Sequence, residues 1–313
     1  MRVSVIIPLF NQTATVTEAV TSALAQTLPP FEVVIADDGS TDSGGKTLAG
    51  LDPRVRVIHQ ENRGPASARN LAARAAAGDW LAFLDADDLW LPQKLERQKS
   101  VAEAHPTADL IHTDGYVVST LDAPLPASTF FTGRTPPAGP NPARDLFRTP
   151  LLTPAVMVRR EAFMCLGGFN EKLRLHEDIE FYFRLAAAGA EFAYLPEPLV
   201  VVRVLETKRD PIEYLTVSAA VQDETLRAFP AYAADLGLRL SDTWRALGLL
   251  HLAQGNAAAA RTAYFSSLRH RGLNRPDLAA LVLLFTGQGW RLLEKYRPLL
   301  ARFGEGSPDS TGD

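Results

Sequence analysis

The chain has 313 residues, 46% hydrophobic and 22% charged. That is ordinary globular composition, enough for one large domain and a smaller one, and it excludes a disordered or fibrous chain. A net charge of −4 speaks against a nucleic-acid binder held by phosphate contacts, and a single cysteine excludes an internal disulfide.

The lone Cys165 points to a reducing compartment. It lies beside an apolar helix face and is expected to be buried rather than reactive. Met1 leads straight into a strand-like run with no secretory pattern around it. The longest apolar stretch, Leu278 to Phe285, falls short of the roughly 20 residues a membrane span needs. The expected location is cytoplasmic.

The first ninety residues alternate strand and helix patterns. Val3 to Ile7 is a β-branched run that should stop at Pro8. From Thr13 to Gln26, Val16, Ala19, Val20, Ala23 and Leu24 fall on one helical face. Phe31 to Ala36 is a second strand, ending in Asp37-Asp38-Gly39-Ser40, which is turn and cap chemistry. Val55 to Ile58 is a third strand, and Pro65 to Ala77 an alanine-rich helix closed by Gly78. Trp80 to Leu84 is a fourth strand, ending in Asp85-Ala86-Asp87-Asp88. Such repeats predict an α/β fold with a mostly parallel sheet flanked by helices. Ligands bind these sheets beyond the carboxyl ends of the strands, where both acidic clusters fall.

Pro92 to Ala104 reads as a helix and Asp109 to Val118 as a strand. Leu121 to Pro150 is a long Pro-rich loop, a length that usually marks function or mobility. Short helices follow at Glu161 to Leu166 and Asp178 to Ala188, then strands at Phe192 to Leu195 and Leu199 to Val204. From about Ile212 the pattern is all helical. Trp244, Leu247, Gly248, Leu252 and Tyr264 suggest one tetratricopeptide-like hairpin, expected to pack on the first domain. The predicted organisation is a first domain over 1–210, a helical region over 211–303 and a disordered tail over 304–313. Residues 241–303 carry nine Lys/Arg against three Asp/Glu, a net +6. The amphipathic, cationic run from Trp290 to Phe303 suggests peripheral contact with an anionic bilayer; a helix packed on the domain with a solvated basic face is the plainer reading.

Asp85 and Asp87, at i and i+2 after a strand, can converge on one hard divalent cation. Mg²⁺ or Mn²⁺ accepts a few carboxylates and completes its shell with water and phosphate. The same residues also suit a solvated turn capping the next helix. Asp37 to Asp42 could meet a base or ribose, or serve as an N-cap. Asn62 to Asn70 opens a helix whose N-terminus favours anions, with Arg63 or Arg69 in reach of a diphosphate. Glu177 and Asp178 start a helix, where their charge is favourable, and one could act as a general base.

In this order the segments Ser4 to Asn11, Asp37 to Asp42, Asn62 to Asn70, Gly78 to Asp88, Gly167 to Glu171 and Glu177-Asp178 with Arg184 resemble the inverting family 2 glycosyltransferases. The resemblance covers about residues 1–205 and implies a GT-A (Rossmann-like) fold with a C-terminal helical extension. It implies transfer of a sugar from a nucleotide-diphosphate donor, a UDP-sugar, to a hydroxyl of a carbohydrate or lipid-linked acceptor. Pro8, Phe10 and Asp38 would line the nucleoside pocket, and Arg69 would contact the diphosphate. Asp87 would bind Mn²⁺ or Mg²⁺ directly, and Asp85 would contact ribose or metal. Asp178 would be the catalytic base, with Glu177 positioning it or the acceptor. One departure is plain: many members of the family it resembles carry a histidine in an Arg-x-His pattern after the last strand, and here the text is Arg203-Val204-Leu205. That loss motivates the alternative, a binding or scaffold protein on a weakened transferase fold.

Overall fold

Apolar runs with no polar face can form strands only where both sides are covered, and that is what the sequence produces. The computed structural model describes residues 1–48, 50–119, 125–146, 148–203, 210–271 and 275–296. The chain divides into two units, Met1–Leu205 and Glu206–Asp313.

In the first unit the strands are β1 (Val3–Leu9), β2 (Glu32–Asp37), β3 (Val55–His59), β4 (Trp80–Phe83), β5 (Leu89–Trp90), β6 (Ala108–Val118), β7 (Val156–Arg159) and β8 (Glu191–Arg203). Its helices are α1 (Thr13–Leu24), α2 (Gly44–Thr47), α3 (Pro65–Ala75), α4 (Lys94–Ala104), α5 (Ala143–Leu146), α6 (Arg160–Cys165) and α7 (Glu177–Ala187). One sheet runs in the order β3-β2-β1-β4-β7-β6-β8-β5. The β1–β2, β1–β4, β2–β3 and β6–β8 ladders are parallel, and β4–β7, β6–β7 and β5–β8 are antiparallel.

Period-2 alternation divides the core between the two faces. Val3, Val5, Ile7 and Leu9 pack with Val16, Ala19, Val20 and Ala23 of α1 and Leu95 of α4. On the opposite face Phe83 meets Phe163 and Phe169 with ring centroids 5.7 and 5.2 Å away, and both of those meet Phe181 of α7.

Several expectations change. The sheet is mixed because β7 and β5, not expected as strands, pair antiparallel. The two last strands are one, β8, which bends past Pro196 and Pro198 through register shifts opposite Asp114. Cys165 is exposed, not buried. In the six-residue α6 it is Phe163 that enters the core, and a side chain two positions on faces away. Part of the Pro-rich loop is ordered: Gly139 bridges to Phe192, and α5 follows. Residues 121–124 and 147 of that loop lie outside the described residues.

His112, at the centre of β6, is fully buried. Its Nε2 lies 2.7 Å from the Pro137 carbonyl, and its ring packs on Phe131 and Tyr194, tying the loop to the sheet. Burial holds its pKa down, to about 4. As pH falls from 6.5 towards 4, the unfolded chain takes up a proton that the folded chain refuses. The fold should lose about 3 kcal/mol over that window. Urea midpoints at pH 7.5 and 4.5 test this: His112→Phe should show the smaller difference, and equal differences would contradict it.

The second unit is helical: α8 (Pro211–Ala228), α9 (Ala233–Ala253), α10 (Ala257–Arg271), α11 (Arg275–Phe285) and α12 (Trp290–Lys295). α9 and α10 are consecutive and pack through Leu249, Ala260 and Tyr264. Gly248 lets them close, since a Cβ there would lie 2.7 Å from the Tyr264 ring. No helix among the described residues is long and apolar enough to cross a membrane. The expected tail 304–313, the end of the basic run and Leu205 lie outside the described residues.

Candidate active site

β1, β2 and β3 run to one side of the sheet, and β4 returns to the other side of β1. In sheets of this kind ligands bind beyond the carboxyl ends of the strands at such a reversal, here the ends of β1 and β4. Pro8 helps end the pairing between them. The ladder to β4 ends at Ile6 opposite Phe83, while the ladder to β2 continues to Leu9 opposite Asp37. Leu84 N–H donates to Ile6 O, so Pro8, two residues on, turns its missing N–H to the β4 side, where the ladder has ended. The expected strand stop at Pro8 is therefore one-sided. Phe10 follows at the lip, 45% exposed.

The neighbouring loops are laced together. Asn11 takes a left-handed backbone, φ 52°, and its Oδ1 accepts from Thr41 N at 2.8 Å. Asp37 accepts from Ser40 N and faces the exposed His59 at 3.1 Å. Asp38 is buried and accepts from Gln60 Nε2 at 2.6 Å, Arg63 N at 2.8 Å and Gly64 N at 2.8 Å. It fixes the loop entering α3. Gly39, at φ +74°, is needed for the same approach: a Cβ would sit 2.9 Å from Asn62 N.

The charged centre is built on Arg69 of α3. Its guanidinium is buried and donates to Asp85 Oδ1 at 2.6 Å and Glu177 Oε1 at 2.7 Å. Two segments 108 residues apart are thereby joined. Glu177 and Asp178 open α7 behind His176, which has φ 62°. Burial raises the Glu177 pKa, with Arg69 opposing and Asp178 adding to the rise. Asp178 is half-buried; it accepts from Thr153 Oγ1 at 2.9 Å and from Ile179 N at 2.8 Å.

On the other side of Asp85 the carboxylates crowd. Burial, and then Asp85, raise the Asp87 pKa. Burial, with Asp85 and Asp87, pushes Asp88 well above the usual carboxylate range. Asp88 accepts from Arg203 N at 2.8 Å, and Arg203 pairs with Glu18.

A divalent cation suits this donor set in part. Two adjacent carboxylates, Asp85 and Asp87, meet the preference of Mg²⁺ or Mn²⁺ for few protein ligands. Burial first, and then carboxylate crowding, raise the Asp87 and Asp88 pKa values, and a cation would relieve the crowding. Among the described residues no three His, Cys, Asp or Glu side chains are arranged to hold a metal. The remaining ligands would have to be water and phosphate.

Arg69, Asp85, Glu177 and Asp178 thus form one electrostatic group, with Asp87 beside it. Arg69 is engaged with Asp85 and Glu177, and Arg63 pairs with Glu171 at 2.9 Å. Residues 4–166 match the model of Glycosyl transferase family 2.

The chain belongs to glycosyl transferase family 2.

It is 30% identical over 211 residues to an uncharacterized glycosyltransferase of Haemophilus influenzae, covering 67% of this chain and 70% of that protein. It is 31% identical over 252 residues to an uncharacterized glycosyltransferase of Rickettsia felis. That match covers 75% of this chain but only 40% of the relative. Among solved structures it is similar to S. aureus TarS 1-349 in complex with UDP-GlcNAc, with a TM-score of 0.70 at 21% identity over 96% of this chain and 92% of that one. The fold is GT-A, as expected.

Within this family 2 chain, some residues around the site carried no reading of their own in the sequence. Asn70 donates to Phe169 O at 2.8 Å and accepts from Phe169 N at 2.9 Å, pinning the Gly167-Gly168 turn beside α7. Its place in the Asn62 to Asn70 motif was the available signal. Thr153 had no signal, because no local pattern distinguishes it.

Proposed function

We propose that the chain transfers a sugar, with inversion, from a UDP-sugar to a hydroxyl of a carbohydrate or lipid-linked acceptor. What carries this reading is that Arg69 joins the strand-end carboxylate Asp85 to the α7 pair Glu177-Asp178. A donor site and a base thus adjoin across one crevice. That the similar TarS structure holds UDP-GlcNAc supports the donor class.

Pro8 and Phe10 form the nucleoside side of the crevice. Asp38 acts there by shaping the 60–64 loop. Asp85 and Asp87 would hold Mn²⁺ or Mg²⁺, which when bound neutralises charge on the departing diphosphate. Asp178 takes the proton as the acceptor oxygen bonds to the anomeric carbon. The bond from that carbon to the diphosphate oxygen breaks, and its electron pair leaves with the nucleotide. Arg69 keeps Glu177 and Asp85 in place.

Thermal shift with a panel of nucleotide sugars tests the donor class. At about 100 times Kd, binding adds about 2.7 kcal/mol, a rise of several degrees. UDP-sugars should give it with Mn²⁺ and not without; a panel with no response contradicts the proposal.

The same reading extends to a bilayer holding the acceptor. On α11, Leu278, Val282 and Phe285 are exposed, as is Phe265 on α10, and Arg261 lies over the Phe285 ring at 5.3 Å. An uncovered apolar stripe in a segment of net +6 suits an anionic membrane surface. The chain should float with anionic vesicles at low salt, and Phe285→Glu should weaken this. Absence of flotation would exclude it.

A further inference from the structure

We infer that Thr153 is a positioning residue that orients Asp178, and that Trp90 anchors the turn presenting it. The inference rests on the reading of Asp178 as the base. Thr153 begins a buried 3₁₀ turn, Thr153–Ala155. Its hydroxyl donates to Asp178 Oδ2 at 2.9 Å and accepts from Tyr182 OH at 3.4 Å. The direction is fixed, because an ionised carboxylate has no proton to give and the buried phenol does. With Ile179 N–H on Oδ1, each carboxylate oxygen is held by one donor. The plane of the carboxylate is set, and lone pairs remain for an incoming proton.

The turn itself is fastened at two successive carbonyls. Trp90 Nε1 donates to Pro154 O at 2.9 Å, and Gln98 Nε2 donates to Ala155 O at 2.9 Å. The buried Lys94 completes the anchor. Its Nζ donates to Gln98 Oε1 at 2.8 Å and sits 4.0 Å from the Trp90 ring centroid. A lysine enclosed without a carboxylate partner among the described residues is costly, so its contacts with Gln98 and Trp90 mark a place where the side-chain arrangement is tightly specified. Trp90 lies two residues beyond Asp88. The strand end assigned to the donor is thereby connected to the base through Trp90, Pro154 and Thr153. A group that touches the base only through its hydroxyl should affect turnover more than donor binding.

The test is UDP release from UDP-GlcNAc with Mn²⁺, read as separate kcat and KM. Thr153→Val should lower kcat about 10- to 100-fold with donor KM within about twofold, and Thr153→Ser should restore most of the rate. Trp90→Phe, which keeps a ring but loses the N–H, should lower kcat by a smaller factor. In an Asp178→Asn background Thr153→Val should cost nothing further, since its effect passes through that carboxylate. Wild-type kcat in Thr153→Val, or a loss that persists undiminished in Asp178→Asn, overturns the inference. If Thr153→Val does not fold, Trp90→Phe with unchanged kcat overturns it. Failure of the base assignment is seen separately, as a single Asp178→Asn variant with near-normal turnover.

Discussion

Asp178→Asn is expected to lower kcat by about 10³-fold while leaving donor KM within a few-fold, the size of effect that removal of a general base produces. The substitution is a clean one here. Asn Oδ1 can keep the bond from Ile179 N, and Asn Nδ2 can donate to Thr153 Oγ1, a hydroxyl that accepts as well as donates. The side chain keeps its place and loses only its capacity to take a proton. Steady-state kinetics with donor and acceptor, alongside a melting curve within about 2 °C of wild type, would make the loss chemical. Near-normal turnover would remove Asp178 from the mechanism.

Arg69→Leu should have the largest effect on stability. The guanidinium is buried and meets Asp85 and Glu177 at 2.6 and 2.7 Å. Leucine fills part of the volume but leaves Glu177, whose side chain is 9% exposed, without a counter-charge. Breaking a buried pair from one side costs about 3–5 kcal/mol. Asp85, 27% exposed, recovers some hydration, which puts the expectation near about 3 kcal/mol. For a unit of this size the melting temperature should fall by about 6–12 °C. Arg69→Lys should fall between, keeping charge but not the two-armed geometry. A melting temperature unchanged in Arg69→Leu would mean that the pairs contribute nothing.

The parts of the fold that were legible are those whose residues state their surroundings locally. Val3 to Ile7 and Trp80 to Leu84 have no polar face, so they had to be central strands. β7 was not legible because Val156 to Arg159 is only three apolar residues and an arginine between a turn and a helix, and periodicity does not act over that length. β5 has only two residues. The carboxylates of the candidate site were legible by position only, since Asp85, Asp87 and Asp38 follow strands and Asp178 opens a helix. Their partners were not. That Arg69 meets Glu177 depends on a contact spanning 108 residues, and no local pattern encodes it. The exposure of Cys165 was missed for a related reason: one turn of helix presents opposite faces two residues apart, and the sequence does not say which is inward.

The most direct measurement is calorimetry of UDP binding with and without Mn²⁺, on the wild-type chain and on Asp87→Asn. If Asp85 and Asp87 hold the cation and the cation holds the diphosphate, wild type binds UDP at least tenfold more tightly with Mn²⁺. Asp87→Asn then loses most of that gain while keeping its melting temperature. Equal UDP affinity with and without Mn²⁺, or a gain that Asp87→Asn retains, would contradict the metal-assisted site. No UDP binding under any condition would favour a binding or scaffold protein on the same fold.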